Sequence, residues 1–191
     1  HLVVGVEKHF GSDTSGVRIK IEGYHQRLYD VPVEIKESSF SLINTGADFV
    51  RLTPNPMVNE GIARNYGVEL TAERGFSRGY LLLVTASIFQ SEYKGSDNVW
   101  RNSNFNGKYL TNILSTREWI LKQQNIFSLG TKFITAGGRW YGPVDDSASI
   151  AEKRFVYNSE AKNTKQFQPY YRVDVRASYK INLPKVSHEI G

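Results

Sequence analysis

The stretch YYRVDVRASYKIN, Tyr170–Asn182, decides how the rest of the chain reads. From Tyr171 every second residue is apolar or aromatic (Tyr171, Val173, Val175, Ala177, Tyr179, Ile181), and Arg172, Asp174, Arg176, Ser178, Lys180 and Asn182 fill the places between. A period of two over about a dozen residues describes one strand with two chemically opposite faces. Strands of soluble domains usually run about 5 to 6 residues, whereas a tilted strand that crosses a bilayer needs about 9 to 11. Aromatics close both ends of the apolar face. Tyr171 and Tyr179 stand eight positions apart, which at ~3.3 Å per residue and ~45° of tilt is roughly 19 Å across a membrane, close to the spacing of two interfacial aromatic rows.

The same alternation recurs outward from this stretch. Residues 1–10 set Leu2, Val4 and Val6 against Gly5 and Glu7, and residues 17–33 set Val17, Ile19 and Ile21 against Arg18, Lys20 and Glu22, with Pro32 marking the strand's end. In 65–76, Tyr66, Val68, Leu70 and Ala72 oppose Gly67, Glu69, Thr71 and Glu73. Residues 80–94 alternate likewise, although Leu81, Leu83 and Phe89 intrude on the polar side. Strands follow at 105–120 and 126–141, and VSHEIG begins a last one, which makes about eight in all. Between them, 34–64 reads as a long excursion holding a small hairpin of FSLIN and DFVRL, 95–104 as a polar loop, and 143–169 as a second polar excursion without a period. Short turns at GSDTSG, SRG, KQQN and LPKV alternate with these long loops. An antiparallel meander then gathers every long loop at one end, an asymmetry typical of outer-membrane barrels and unexplained by a Greek-key sandwich.

Composition agrees. Hydrophobic residues make up 40% and the mean hydropathy is −0.41, as expected when only alternate strand residues face lipid, and no run approaches the ~18 apolar residues of a membrane helix. The 11 Tyr, 10 Phe and 16 Gly suit strands and tight turns. Without cysteine the chain makes no disulfide or thiolate metal site. The net charge of +5 does not mark a nucleic-acid surface, because basic residues are spread over many strands and interleaved with acids, as in Arg18, Lys20 and Glu22. The opening HLVVGVEKHF lacks a charged leader, apolar core and small-residue cleavage site, so the expectation is a mature chain or a piece of a larger one.

Catalytic sets are absent from the pattern. His1, His9, His25 and His188 fall in different strands without ligand spacing, Asp145 and Asp146 lack the rest of a calcium loop, and Gly137–Gly138 precede an aromatic pair instead of a helix, which favours a bulge or close backbone approach over a phosphate cradle. No enzyme activity, cofactor or metal is expected.

Several runs, RNYGVELTAERGFSRGYLLLVTAS, YKGSDNVWRNSNFNGKYLTNIL, TAGGRWYGPVD and YYRVDVRASYKIN with KVSHEI, resemble the C-terminal barrel half of Bacteroidota TonB-dependent receptors, from about Val17 to the end. The resemblance implies an all-β, transmembrane, antiparallel up-and-down β-barrel in the bacterial outer membrane, with 1–191 contributing about eight strands to a barrel of about 22. Family members carry a TonB box, a plug and a terminal aromatic, none of which is present in this chain, so a barrel fragment is expected. The function implied is TonB-energised uptake of a nutrient ligand, small or oligomeric, of the siderophore, glycan or peptide class; the partners are outer-membrane lipid, the receptor's own plug and TonB. Val68, Leu70, Val173, Val175 and Tyr179 are expected to face lipid. Glu69, Glu73, Arg172, Asp174, Arg176 and Lys180 are expected to face the lumen, where the charges of 170–182 stay hydrated or pair across strands with acids such as Glu69 and Glu73. In the long loops Trp100, Arg101, Asn102, Arg139, Trp140 and Tyr141 combine stacking surfaces with hydrogen-bond donors and are the candidate ligand contacts. The competing reading is a soluble β-rich carbohydrate-binding module, which requires two sheets to bury the Tyr/Val/Ile faces against each other.

Overall fold

A computed structural model of the chain describes residues 1–11, 16–46, 55–122, 124–158 and 160–191. Its strands in chain order are β1 (Leu2–Phe10), β2 (Val17–Glu34), β3 (Met57–Ser77), β4 (Tyr80–Lys94), β5 (Trp100–Asn102), β6 (Tyr109–Leu121), β7 (Asn125–Ala136), β8 (Trp140–Tyr141), β9 (Lys165–Gln166), β10 (Tyr170–Asn182) and β11 (Ser187–Ile190), with one short helix, α1 (Asp146–Glu152). The wall is a single antiparallel sheet in the order β1-β2-β3-β4-β6-β7-β10-β11. It is an up-and-down barrel segment. The short connections all lie at one end and the long ones, after β2, β4 and β7, at the other.

Cross-strand partners share a face, so the register sorts the two surfaces. Val173 stands opposite Phe133, Phe133 opposite Ile113, Ile113 opposite Val84, Val84 opposite Ala72 and Ala72 opposite Ile19, an apolar row running from β10 to β2. One residue along, the row reads Asp174, Lys132, Leu114, Leu83, Glu73, Arg18 and His9. Leu83 and Leu114 therefore meet as a pair inside the charged face, which accounts for the intrusion seen in the β4 sequence.

The apolar face is bare. Val6 is 72% exposed, Ile88 73%, Val173 66% and Val175 67%, and among the described residues no second layer covers them. Two sheets burying these faces against each other, the arrangement a soluble carbohydrate-binding module needs, are not what the chain builds. Aromatics bound the face at both ends: Tyr80, Trp119, Phe127 and Tyr179 toward the short turns, Tyr66, Tyr109 and Tyr171 toward the long loops. Trp119 and Phe127 stack with ring centroids 5.6 Å apart, and Phe127 is the register partner of Tyr179.

The tightest short turn shows local chemistry setting the register. Ser77 pairs with Tyr80, and the two residues between, Arg78 (φ 51°) and Gly79 (φ 71°), both adopt left-handed backbone, as a primed two-residue hairpin turn requires. A Cβ on Gly79 would also lie 2.6 Å from the Glu118 carbonyl oxygen.

Several boundaries differ from those read in the sequence. β2 runs past Pro32 to Glu34 because a register shift around Leu28–Val31, with Asp30 at φ 57°, absorbs the proline. β3 starts at Met57, so the first excursion is shorter than 34–64; Leu42–Asn44 forms a 3-10 turn instead of a hairpin arm, and DFVRL, like most of GSDTSG, lies outside the described residues. The 95–104 loop is not all irregular, because β5 folds back onto the edge of β4 beyond the end of β6. The strand expected from 105 begins only at Tyr109, since Asn106 turns back to the Ser103 carbonyl and Lys108 has φ 67°. Gly137–Gly138 separate β7 from β8, and α1 occupies part of the polar excursion.

Candidate functional site

The long connections after β2, β4 and β7 form one layer at the end of the wall, and hydrogen bonds between them explain why. Tyr93, fully buried near the end of β4, donates its hydroxyl hydrogen to the Ser39 carbonyl at 3.0 Å and packs with Val31, Ala63, Leu28 and Ile43. Ser96 donates to the Lys36 carbonyl at 3.0 Å and accepts from the Ser38 amide at 2.9 Å. The Asn104 amide donates to Asn44 Oδ1 at 2.8 Å. The third connection joins through Asn163, buried at φ 57°, whose Nδ2 donates to Asn102 O and Asn104 Oδ1, each at 2.7 Å. Asparagine is among the few residues with a side chain that occupy this region readily.

The candidate ligand residues divide within this layer. Trp100 lies in β5, with the Arg64 guanidinium 4.2 Å and the Lys94 ammonium 5.3 Å from its ring centre. Arg101 is buried and its guanidinium meets Asp97 at 2.7 Å, the pairing a buried charge requires. Asn102 Oδ1 accepts from Gln90 at 3.0 Å and Asn106 at 2.8 Å. These last two hold the layer together. Arg139, Trp140 and Tyr141 instead line one open cavity of about 820 Å³ with Tyr157, Lys162 and Phe167.

Backbone geometry builds that cavity. A Cβ on Gly137 would run into the Gly107 carbonyl oxygen and one on Gly138 into that of Phe167, so the two glycines let the third connection press against its neighbours. This is the close backbone approach foreseen for them. Trp140 Nε1 then donates to Asn106 O at 2.6 Å, and Lys108 sits 4.7 Å from the Trp140 ring centre. Tyr141 stacks on Phe167 at 4.3 Å, held by the β8–β9 ribbon. Asp145, weighed above as a weak cation ligand, caps α1 by accepting from the Ala148 amide at 2.9 Å.

Two charged groups set the electrostatics of the layer. Burial, then repulsion from Arg101, lowers the Lys162 ammonium below the usual lysine value, with Glu34 and Asp97 pulling the other way. Burial raises Glu34, but hydrogen bonds from Ser38 and Asn55 and the nearby Lys162 outweigh it and leave the carboxyl below its ordinary value. Lys162, Tyr157 and Phe167 escaped sequence reading. The available signal was the EAKNTK run, an asparagine flanked by lysines in a stretch otherwise without period.

On the wall, Glu69, Glu73, Arg172, Asp174, Arg176 and Lys180 occupy the charged face and Val68, Leu70, Val173, Val175 and Tyr179 the apolar one. The pairing partners differ from expectation. Arg172 bonds Asp174 at 2.9 Å, Arg176 approaches Glu189 at 3.7 Å, and Glu73 bonds Arg18 at 2.5 Å. Glu69 and Glu73 are out of reach of β10 because β4, β6 and β7 stand between, each strand adding about 4.8 Å.

The bare apolar face, its aromatic borders and the one-sided loop layer define an outer-membrane barrel wall. The family model for the TonB dependent receptor-like β-barrel matches residues 4–188, and the chain belongs to that family. Comparison with curated proteins and with solved structures gives no match.

Proposed function

We propose that this chain supplies part of the wall and of the outer loop layer of a receptor that takes up a nutrient, with the plug and TonB driving passage. The observation that carries this reading is the uncovered apolar face between two aromatic rows, opposite a face of ion pairs. The apolar residues, including Val68, Leu70, Val173, Val175 and Tyr179, meet lipid. The charged face meets the water-filled lumen, where exposed pairs such as Arg172–Asp174 add little stability and act mainly to keep the wall hydrated. Leu83 and Leu114 give the plug an apolar foothold on it. The likeness of the YKGSD, WRN and AGGR runs to Bacteroidota receptors supports assignment to that group.

Ligand recognition belongs to the loop cavity of Arg139, Trp140, Tyr141, Tyr157, Lys162 and Phe167. Its stacked rings and cations suit a ligand that joins flat or sugar-like surface to negative charge. The test is uptake by the complete receptor of three probe classes: an iron–siderophore, an acidic oligosaccharide and a peptide pool. Tyr157→Ala with Lys162→Gln should lower uptake of one class about a hundredfold, the loss expected for one stacking contact and one charge-assisted hydrogen bond together, while assembly stays normal. Unchanged uptake of every class that the parent receptor transports would remove the cavity from the account.

A further inference from the structure

A second groove, of about 470 Å³, opens where the apolar face meets the loop end of the wall, lined by His25, Arg27, Tyr29, Arg64, Tyr66 and Trp100 among others. The register places it on the apolar face: His25 is the partner of Tyr66 and Arg27 of Arg64, two and four residues beyond Val68, which is 54% exposed. Arg27 and Arg64 lie one alternate step past the Tyr66 row, roughly 5 Å farther along the membrane normal at ~45° of tilt. That is the headgroup level of the bilayer.

The charge arrangement there is unbalanced. Two arginines directly opposite each other in a sheet repel, and Lys94 adds a third cation against the Trp100 ring. Glu92 is the acid that meets them, through Arg64 Nε at 2.6 Å. Among the described residues Arg27 makes no ion pair, and the next acids along these strands, Asp30 and Glu60, do not line the groove. Below, the same face continues through Gly23 to Ile21 beside Val68, Leu70 and Ile88, apolar surface that is open to an acyl chain.

We infer that the groove holds the phosphate headgroup of an outer-leaflet lipid, Arg27 and Arg64 taking the phosphate and the His25–Tyr66 and Trp100 rings bracketing the headgroup while an acyl chain descends along Gly23 and Val68. The chemistry is phosphate on two guanidinium forks. The apolar path directly below it favours a lipid over a soluble phosphate. The inference rests on the reading that the apolar face meets the bilayer.

The test uses the complete receptor in detergent, with native mass spectrometry reading retention of lipid A, of its dephosphorylated form and of inorganic phosphate. Parent receptor should retain lipid A and lose it to neither of the other probes. Arg27→Gln, a change at an exposed residue that makes no ion pair among the described residues, should lower lipid A retention about tenfold, in line with one lost charge-assisted contact; Arg27→Gln with Lys94→Gln should lower it further, and Arg27→Lys should restore part of it. Retention by Arg27→Gln and by the double variant equal to the parent's, or equal retention of the dephosphorylated lipid by the parent, would overturn the inference. Displacement of lipid A by inorganic phosphate would overturn the lipid source. Loss of retention must occur with normal heat-modifiable migration, so that failure here is separate from failure of the membrane-wall reading.

Discussion

Lys162 is where a single side chain links burial to recognition. Its ammonium is half-buried beside Phe40 and near Arg101, and its value lies below the ordinary 10.5. Charged Lys162 is needed to hold an anion, so affinity for an acidic ligand should fall as pH rises through that lowered value, before an ordinary lysine would discharge. Stability runs the other way. The unfolded chain keeps the proton up to about 10.5 whereas the folded chain releases it earlier, so the fold gains stability as pH climbs through this window. Lys162→Arg should flatten the alkaline limb of a ligand-binding titration. An identical limb in the variant would show that some other group titrates. Little of this was legible beforehand: Arg139, Trp140 and Tyr141 stood out by chemistry, but Lys162 reaches the same cavity through the hydrogen bonds of its neighbour Asn163, and Tyr157 through its bridge to Val144, contacts that leave no periodic trace.

Among the elements, β10 and β4 have the bounds their alternation implies, because a strand with one uncovered apolar face must keep its period of two over its whole span. The loop-end elements were legible only in part. β5, the late start of β6 and the break at Gly137–Gly138 are set by contacts with segments distant in sequence, such as Ser103 with Ser91 of β4 and Trp140 with Asn106, and periodicity reports nothing about contacts of that kind. The α1 start was available in hindsight, since Asp145 before DSASIAE is an ordinary N-cap signal. At this scale the sharpest consequence concerns Val175, midway between Tyr171 and Tyr179. Arginine there should cost about 2 to 4 kcal/mol near the bilayer midplane, and Val175→Arg should block assembly of the complete receptor. Heat-modifiable migration indistinguishable from the parent would contradict that position for β10.

For the whole molecule, everything turns on the two faces of one sheet meeting two different solvents. The sequence of this chain contains no cysteine, so single cysteines introduced along β10 report its environment cleanly in a complete receptor with any other cysteines removed. The decisive measurement is the labelling rate of cysteines placed one at a time at residues 172 to 176 in native outer membranes, using a water-soluble charged maleimide. Positions 172, 174 and 176 should label through the water-filled lumen, and 173 and 175 should resist labelling until detergent extracts the receptor. Equal labelling along the strand, or protection of the even positions with reaction at the odd ones, would contradict the assignment of the apolar face to lipid.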